Sequence, residues 1–234
     1  MTQTNDSHKI RVGYQDELTR LEDQAMEGID MVVLALDRTL EAVANQDIEL
    51  AQLVMENDDK LDGLYLDVHQ GLITLLATQS PVATDLRLIA ALLHAIKNIE
   101  RMGDQCVNIS KLIPLTGHEP PSDDRMIQRI VAMGKQVRIE VVQARRAFID
   151  RDVPMARNLV VLDDEVDEQN RECFALAIEI GDEPDRREWA MTMLLAARAL
   201  ERIGDNAVDV GEQVAFVVTG LFREFEDASH PEAT

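Results

Sequence analysis

One twelve-residue pattern occurs twice in this chain, and the distance between its copies limits what the chain can fold into. Residues 98–109 read Asn-Ile-Glu-Arg-Met-Gly-Asp-Gln-Cys-Val-Asn-Ile, and residues 199–210 read Ala-Leu-Glu-Arg-Ile-Gly-Asp-Asn-Ala-Val-Asp-Val. Glu, Arg, Gly and Asp recur at an offset of 101 residues, as Glu100, Arg101, Gly103 and Asp104 and as Glu201, Arg202, Gly204 and Asp205. The chain is therefore two copies of one unit. The spacing Glu-x-x-x-Asp places both carboxylates on one face of a helix.

The rest of each unit is helical by its periodicity. Leu18, Leu21, Ile29, Val32, Val33, Leu36, Leu40 and Val43 keep three-and-four spacing over residues 13–45, and the turn Asn45-Gln46-Asp47 closes that helix. A second helix follows from about 48 to 78, and a third runs past Pro81, with Asp85 as its expected cap, to Leu112. Pro114, Gly117, Pro120 and Pro121 mark a linker. The pattern then restarts with Met126, Ile130, Met133, Val137, Val141, Ala144 and Phe148, continues with Met155, Leu159, Leu162, Val166 and Cys173, and ends with a helix from about 186 to 222. The expected fold is all-α: six long helices in two tandem, pseudo-symmetric, antiparallel three-helix bundles. The expected boundaries are a mobile N-terminal tail at 1–12, a first repeat at 13–113, a linker at 114–123, a second repeat at 124–223 and a frayed acidic tail at 224–234.

Composition narrows the function. Asp and Glu number 44 against 23 Lys and Arg, a net charge of −21, and aromatics are only 3%. Such a field repels nucleic-acid and lipid phosphates and favours cations and basic protein surfaces. It is also what a solvated helix surface needs for solubility. Cys106 and Cys173 sit inside helical patterns without paired spacing, as buried thiols of a reducing compartment. No apolar run approaches the roughly 20 residues of a membrane span. A cytoplasmic protein is expected.

The motif carboxylates stand where leucines belong. On a helical wheel Glu100, Gly103 and Asp104 fall in the stripe of Ile89, Leu93 and Ile96, and Glu201, Gly204 and Asp205 fall with Met193, Leu194 and Ala197. Asp58 and Asp163 interrupt the stripes of the second and fifth helices, flanked by Asp62 and Asp167. Asp62 and Glu100 are each 19 residues from Pro81, and Asp58 and Asp104 are each 23. Asp167 and Glu201 are each 17 residues from Pro184, and Asp163 and Asp205 are each 21. Hairpins turning at these prolines bring four carboxylates per repeat to one height. Such a group demands a cation or a lattice of Arg101, Arg202, Arg87 and Lys60. All-oxygen ligands suit magnesium, manganese, calcium or ferric iron. The Glu-x-x-His element of di-iron bundles is absent, because the required position holds Gly103 or Gly204. Gly in mid-helix costs about 1 kcal/mol against Ala, which implies that something approaches the backbone there.

The duplicated plan, its two closing motifs and Ser80-Pro81-Val82-Ala83-Thr84-Asp85-Leu86-Arg87 resemble the PhoU family, over about residues 14–222. The resemblance implies a regulator without catalytic activity that holds down phosphate uptake and phosphate-starvation signalling. Its implied partners are the ATPase subunit of the phosphate importer and the phosphate-sensing histidine kinase; a homodimer is expected on general grounds, as the commonest assembly of such bodies. It implies metal ions, with iron, manganese, magnesium and zinc all open, at Glu100, Asp104, Glu201 and Asp205, joined by Asp58, Asp62, Asp163 and Asp167. Asp209 joins the second set, where the first repeat has Asn108; Glu212 likewise stands where the first has Lys111, so the first site is expected to bind more weakly. A carboxylate-bridged metalloenzyme and a purely structural scaffold are the alternatives.

Overall fold

The computed structural model describes residues 3–79, 81–116 and 123–225, with side chains from residue 13 onward. The first unit consists of α1 (Gln3–Asn45), α2 (Ile48–Thr78) and α3 (Ala83–Leu112), closed by a 3₁₀ turn at Ile113–Thr116. The second consists of α4 (Asp124–Asp150), a five-residue α5 (Val153–Arg157), α6 (Leu159–Gly181), a 3₁₀ turn at Pro184–Arg186 and α7 (Arg187–Thr219). No strand occurs among the described residues. The architecture is the expected pair of antiparallel three-helix bundles.

Four local details differ from expectation. α1 begins at Gln3 rather than near residue 13, because a nucleated helix gains one hydrogen bond per added residue and needs no apolar stripe to extend. α3 is preceded by an extended Val82 without a side-chain cap, and Asp85 lies in its first turn instead of capping it, where its charge still complements the helix dipole. The fifth helix is broken at Asn158. There the side-chain amide of Gln143 on α4 donates to the Met155 carbonyl at 3.0 Å and to Asn158 Oδ1 at 3.2 Å, so that carbonyl has a partner outside its own helix. At the C-terminus, Gly220 takes the left-handed conformation that ends α7, and the Phe225 amide donates to the Glu212 carboxylate at 2.6 Å. Linker residues 117–122 and tail residues 226–234 lie outside the described residues.

α7 is the centre of the molecule. It packs against α3, α4, α5 and α6, and its contact with α3 is the most extensive between any two helices. Its buried residues, among them Ala190, Ala197, Leu200, Ile203, Ala207 and Val214, lie nearly all round the helix, as a helix enclosed on several sides requires. The motif-bearing helices of the two repeats therefore form the junction between them.

The second junction joins α1 to α4, antiparallel. Arg138, Arg145 and Arg151 of α4 pair with Asp37, Asp30 and Glu22 of α1 at 2.7, 2.9 and 2.7 Å, each rung roughly two turns from the next. The exposed pairs among them contribute about 0.2–1 kcal/mol each, and only Arg151–Glu22 is half-buried on both sides, so apolar contact decides the packing. Leu40 seats directly against Gly134, where an added methyl would collide with it. Gly63 on α2, by contrast, has nothing within 4 Å of the place a Cβ would occupy. Gly134→Val is therefore expected to lower unfolding stability by about 1–3 kcal/mol, and Gly63→Ala to raise it by about 0.5–1 kcal/mol. Urea denaturation followed by circular dichroism checks both.

Candidate functional site

In the first repeat the hairpin of α2 and α3 sets Asp58 and Asp62 opposite Glu100 and Asp104. Asp58 and Glu100 are half-buried, and Asp62 and Asp104 are exposed. Burial pushes the Asp58 carboxyl up to about 6, helped by the charges of Asp62, Asp104 and Glu100 and opposed by Lys111. Asp104 is raised by burial and by Glu100 and Asp62, and lowered by Lys97 and Lys111. Each carboxylate thus feels the others, as the register about Pro81 requires. Lys97 binds Glu100 at 2.7 Å.

The second repeat repeats the arrangement with deeper burial. Asp163 on α6 and Glu201 on α7 are buried, Asp167 is half-buried and Asp205 is exposed. Arg198 pairs with Glu201 one turn away, and Arg171 lies 3.8 Å from Asp167. A fifth carboxylate joins these from a third helix. Glu140 of α4 is fully buried, and neither of its carboxyl oxygens has a hydrogen-bond partner among the described residues. Burial pushes it up to about 9, and the charges of Asp163, Asp205, Glu165 and Asp167 act in the same direction. Glu140 lies outside both repeated motifs and escapes a sequence reading built on them. The signal was present, because it occupies the core slot between Val137 and Ala144 just as Asp58 and Asp163 occupy theirs.

The motif glycines make room for these groups. A Cβ on Gly204 would lie 2.6 Å from Asp163 Oδ1 and 2.8 Å from Glu140 Oε2, so two carboxyl groups press against the α7 backbone where glycine leaves a notch. At Gly103 the approaching group is the Leu61 side chain, with Asp58 Oδ1 3.6 Å away. The same glycine serves apolar packing in one repeat and carboxylate packing in the other.

Asp209 lies further along α7, in a crevice of about 450 Å³ between α3 and α7 that Asp163 and Asp205 also line. Its carboxyl is raised by burial, pulled back by Arg101, raised by Glu224 and lowered by His94. Arg101, from the first motif, thus faces the crevice of the second. Glu212 lines the same crevice and holds the Phe225 amide. The cation lattice considered from sequence takes a different form: the motif glutamates pair with Lys97 and Arg198 on their own helices, Lys60 donates to Asn57 at 2.6 Å, and Arg87 packs at Gly220. A broader depression of about 590 Å³ between α4 and α6 holds Arg125 and Arg129 already paired with Glu179 and Glu172 and contains none of the motif residues. Cys106 and Cys173 are buried and unbridged, and burial holds both thiols far up, at about 12 and 11.

Among the described residues, no three His, Cys, Asp or Glu side chains converge closely enough to hold a metal ion. The carboxylates lie near one another without meeting at a point: Asp58 feels Asp62, Asp104 and Glu100, and Asp163 and Asp205 line one crevice. The donor set nonetheless fits a hard cation: it is all oxygen, and Glu140 supplies two buried acceptor atoms with no donor. No helix among the described residues is long and apolar enough to cross a membrane.

Comparison with known proteins gives a family. The PhoU domain model matches residues 26–113 and 130–214, one segment in each repeat. The chain is 28% identical over 216 residues to a phosphate-specific transport system accessory protein PhoU homolog 1 of Thermotoga maritima, covering 92% of this chain and 93% of that one. It is 32% identical over 190 residues to a phosphate-specific transport system accessory protein PhoU homolog of Aquifex aeolicus, covering 80% and 84%. The crystal structure of PhoU from Pseudomonas aeruginosa superposes with a TM-score of 0.82 at 26% identity, over 89% of this chain and all of that one.

Glu140 gives stability a defined pH dependence. Its folded pKa lies far above its ordinary 4.5, so the folded state holds a proton that the unfolded chain releases. Its stabilising contribution is complete below about 4.5 and falls as pH rises toward about 9. In chelator-treated protein, Glu140→Gln is expected to be more stable than wild type at pH 7, by on the order of 2 kcal/mol, with the gap closing toward pH 4.5. Denaturant titrations of both proteins from pH 5 to 9 check this.

Proposed function

The chain belongs to the PhoU family, and on that premise we propose that it is a regulatory adaptor of phosphate homeostasis that holds down phosphate uptake and phosphate-starvation signalling. The observation that carries this reading is the placement of both carboxylate motifs inside the two segments that the family model matches. The relatives in Thermotoga maritima and Aquifex aeolicus are described as accessory proteins of the phosphate-specific transport system. An accessory protein acts by contact, and this chain offers a rigid helical body of net charge −21. It works in the cytoplasm as a homodimer without turnover. Its partners are basic surfaces on the importer's ATPase subunit and on the phosphate-sensing histidine kinase, where opposite charge speeds encounter and fixes orientation.

The motif carboxylates hold metal ions. Asp58, Asp62, Glu100 and Asp104 form the first centre, and Asp163, Asp167, Glu201 and Asp205 form the second, with Asp209 beside it. Iron, manganese, magnesium and zinc are the cations in question. The orphaned acceptors of Glu140 and the raised Asp58 carboxyl support the reading, since a cation supplies what a proton otherwise supplies.

The test is genetic. In cells grown with ample phosphate, deletion is expected to switch on a phosphate-starvation reporter and raise phosphate uptake. Wild-type complementation restores repression, while Glu100→Gln, Asp104→Asn, Glu201→Gln, Asp205→Asn, shown folded by circular dichroism, leaves the reporter near the deletion level. Unchanged reporter and uptake after deletion would overturn the proposal, and phosphatase or oxidase activity that tracks metal loading would move the chain to the enzyme class.

A further inference from the structure

The register between the repeats isolates one position at which they differ in kind. The turn after α1 has Gln46 at φ 53° followed by the cap Asp47, and the turn after α4 has Arg151 at φ 54° followed by the cap Asp152. The offset is 105 residues, the same that relates Asp58 to Asp163 and Asp62 to Asp167. On that offset Glu140 corresponds to Ala35.

The two positions have corresponding surroundings. Glu140 lies at Gly204 with Asp163; Ala35 lines a cavity of about 370 Å³ together with Gly103 and Asp58, the counterparts of those two residues. In the first repeat the place is a cavity bounded by Met31, Val54 and Leu61, with Arg38 and Lys60 at its lining and no carboxyl at the Ala35 position. In the second it is filled by a carboxyl group.

We propose that Glu140 is a further cation ligand, contributed by a third helix, and that it makes the second carboxylate centre the tighter of the two for a hard divalent cation. This rests on the reading of the motifs as cation sites. A fully buried carboxyl without a hydrogen-bond donor is costly in a helical core, and the first repeat shows that alanine fits the position. An ionised carboxylate only accepts; the Asp163 carboxyl stands beside Glu140 at the Gly204 notch and no donor reaches either Glu140 oxygen among the described residues, so a proton or a cation must satisfy it. Affinity in oxygen-ligand sites rises with ligand charge and rigidity. The second centre has five carboxylates, from three helices. The first has four from two; each centre has two cations beside it, Lys97 and Lys111 in the first and Arg198 and Arg171 in the second, so the carboxylate count is the difference. The inequality expected from Asp209 and Glu212 thus gains a source buried inside the centre.

The experiment is calorimetric titration of Mn²⁺ into the chelator-treated full chain, with free Mn²⁺ followed by electron paramagnetic resonance. Wild type is expected to show a tight and a weak class of sites. Glu140→Gln should weaken the tight class by at least about tenfold and leave the weak class unchanged. Ala35→Glu should tighten the weak class. Thermal unfolding without metal, in which Glu140→Gln is at least as stable as wild type, separates lost ligation from lost folding. A wild-type isotherm from Glu140→Gln, or equal weakening of both classes, would overturn the proposal while leaving the cation reading intact. Absence of Mn²⁺ binding by wild type would remove that reading and the proposal together.

Discussion

Carboxylates gathered on the inward faces of helices repel one another and resist losing water, and the structure is arranged around that cost. A helix can place two acids on one face at spacing four, but a bundle can bury them only if neighbouring helices leave room and something offsets their charge. The motif answers the first requirement with glycine. Gly204 admits Glu140 and Asp163 to the α7 backbone, a use that outweighs the roughly 1 kcal/mol a mid-helix glycine costs. The second requirement is met in part by Lys97 and Arg198, each one turn from a motif glutamate, and in part by raised pKa values at Asp58 and Glu140.

The two centres do not sit apart in separate bundles. α3 and α7, which carry the motifs, are also the principal contact between the repeats, and Arg101 of the first motif reaches the crevice where Asp209 and Asp205 of the second repeat lie. The Asp209 carboxyl of the second repeat therefore feels Arg101 and His94 of the first across the junction. On the opposite side α1 and α4 are held by the Leu40–Gly134 contact and the arginine rungs, and α4 also carries Glu140. Charge state and inter-repeat packing therefore meet on the same helices.

Much of this was legible from the chain because two periodicities were superimposed. The three-and-four spacing of Leu, Ile, Val and Ala located the helices, and the interruptions at Asp58, Asp163, Glu100 and Glu201 located the carboxylates. Counting from Pro81 and Pro184 then paired them across each hairpin, since turns so short leave little freedom of register. What escaped depends on contacts between distant segments. The break at Asn158 depends on a side chain of α4, and the position of Phe225 depends on the Glu212 carboxylate. Asp85 has the composition of a cap, but the extended Val82 before it fixed the helix start earlier. Glu140 was within reach of the interruption rule, and its place beside Gly204 and Asp163 depends on the packing of three helices.

The most direct test of the account is calorimetric unfolding of the chelator-treated protein across a series of Mn²⁺ concentrations. If the carboxylate centres bind a cation in the folded state alone, the unfolding temperature rises with the logarithm of free Mn²⁺ once the dissociation constant is passed, and the rise disappears when Glu100, Asp104, Glu201 and Asp205 are replaced by their amides. An unfolding temperature indifferent to Mn²⁺, or a rise of the same size in the amide variant, would contradict it.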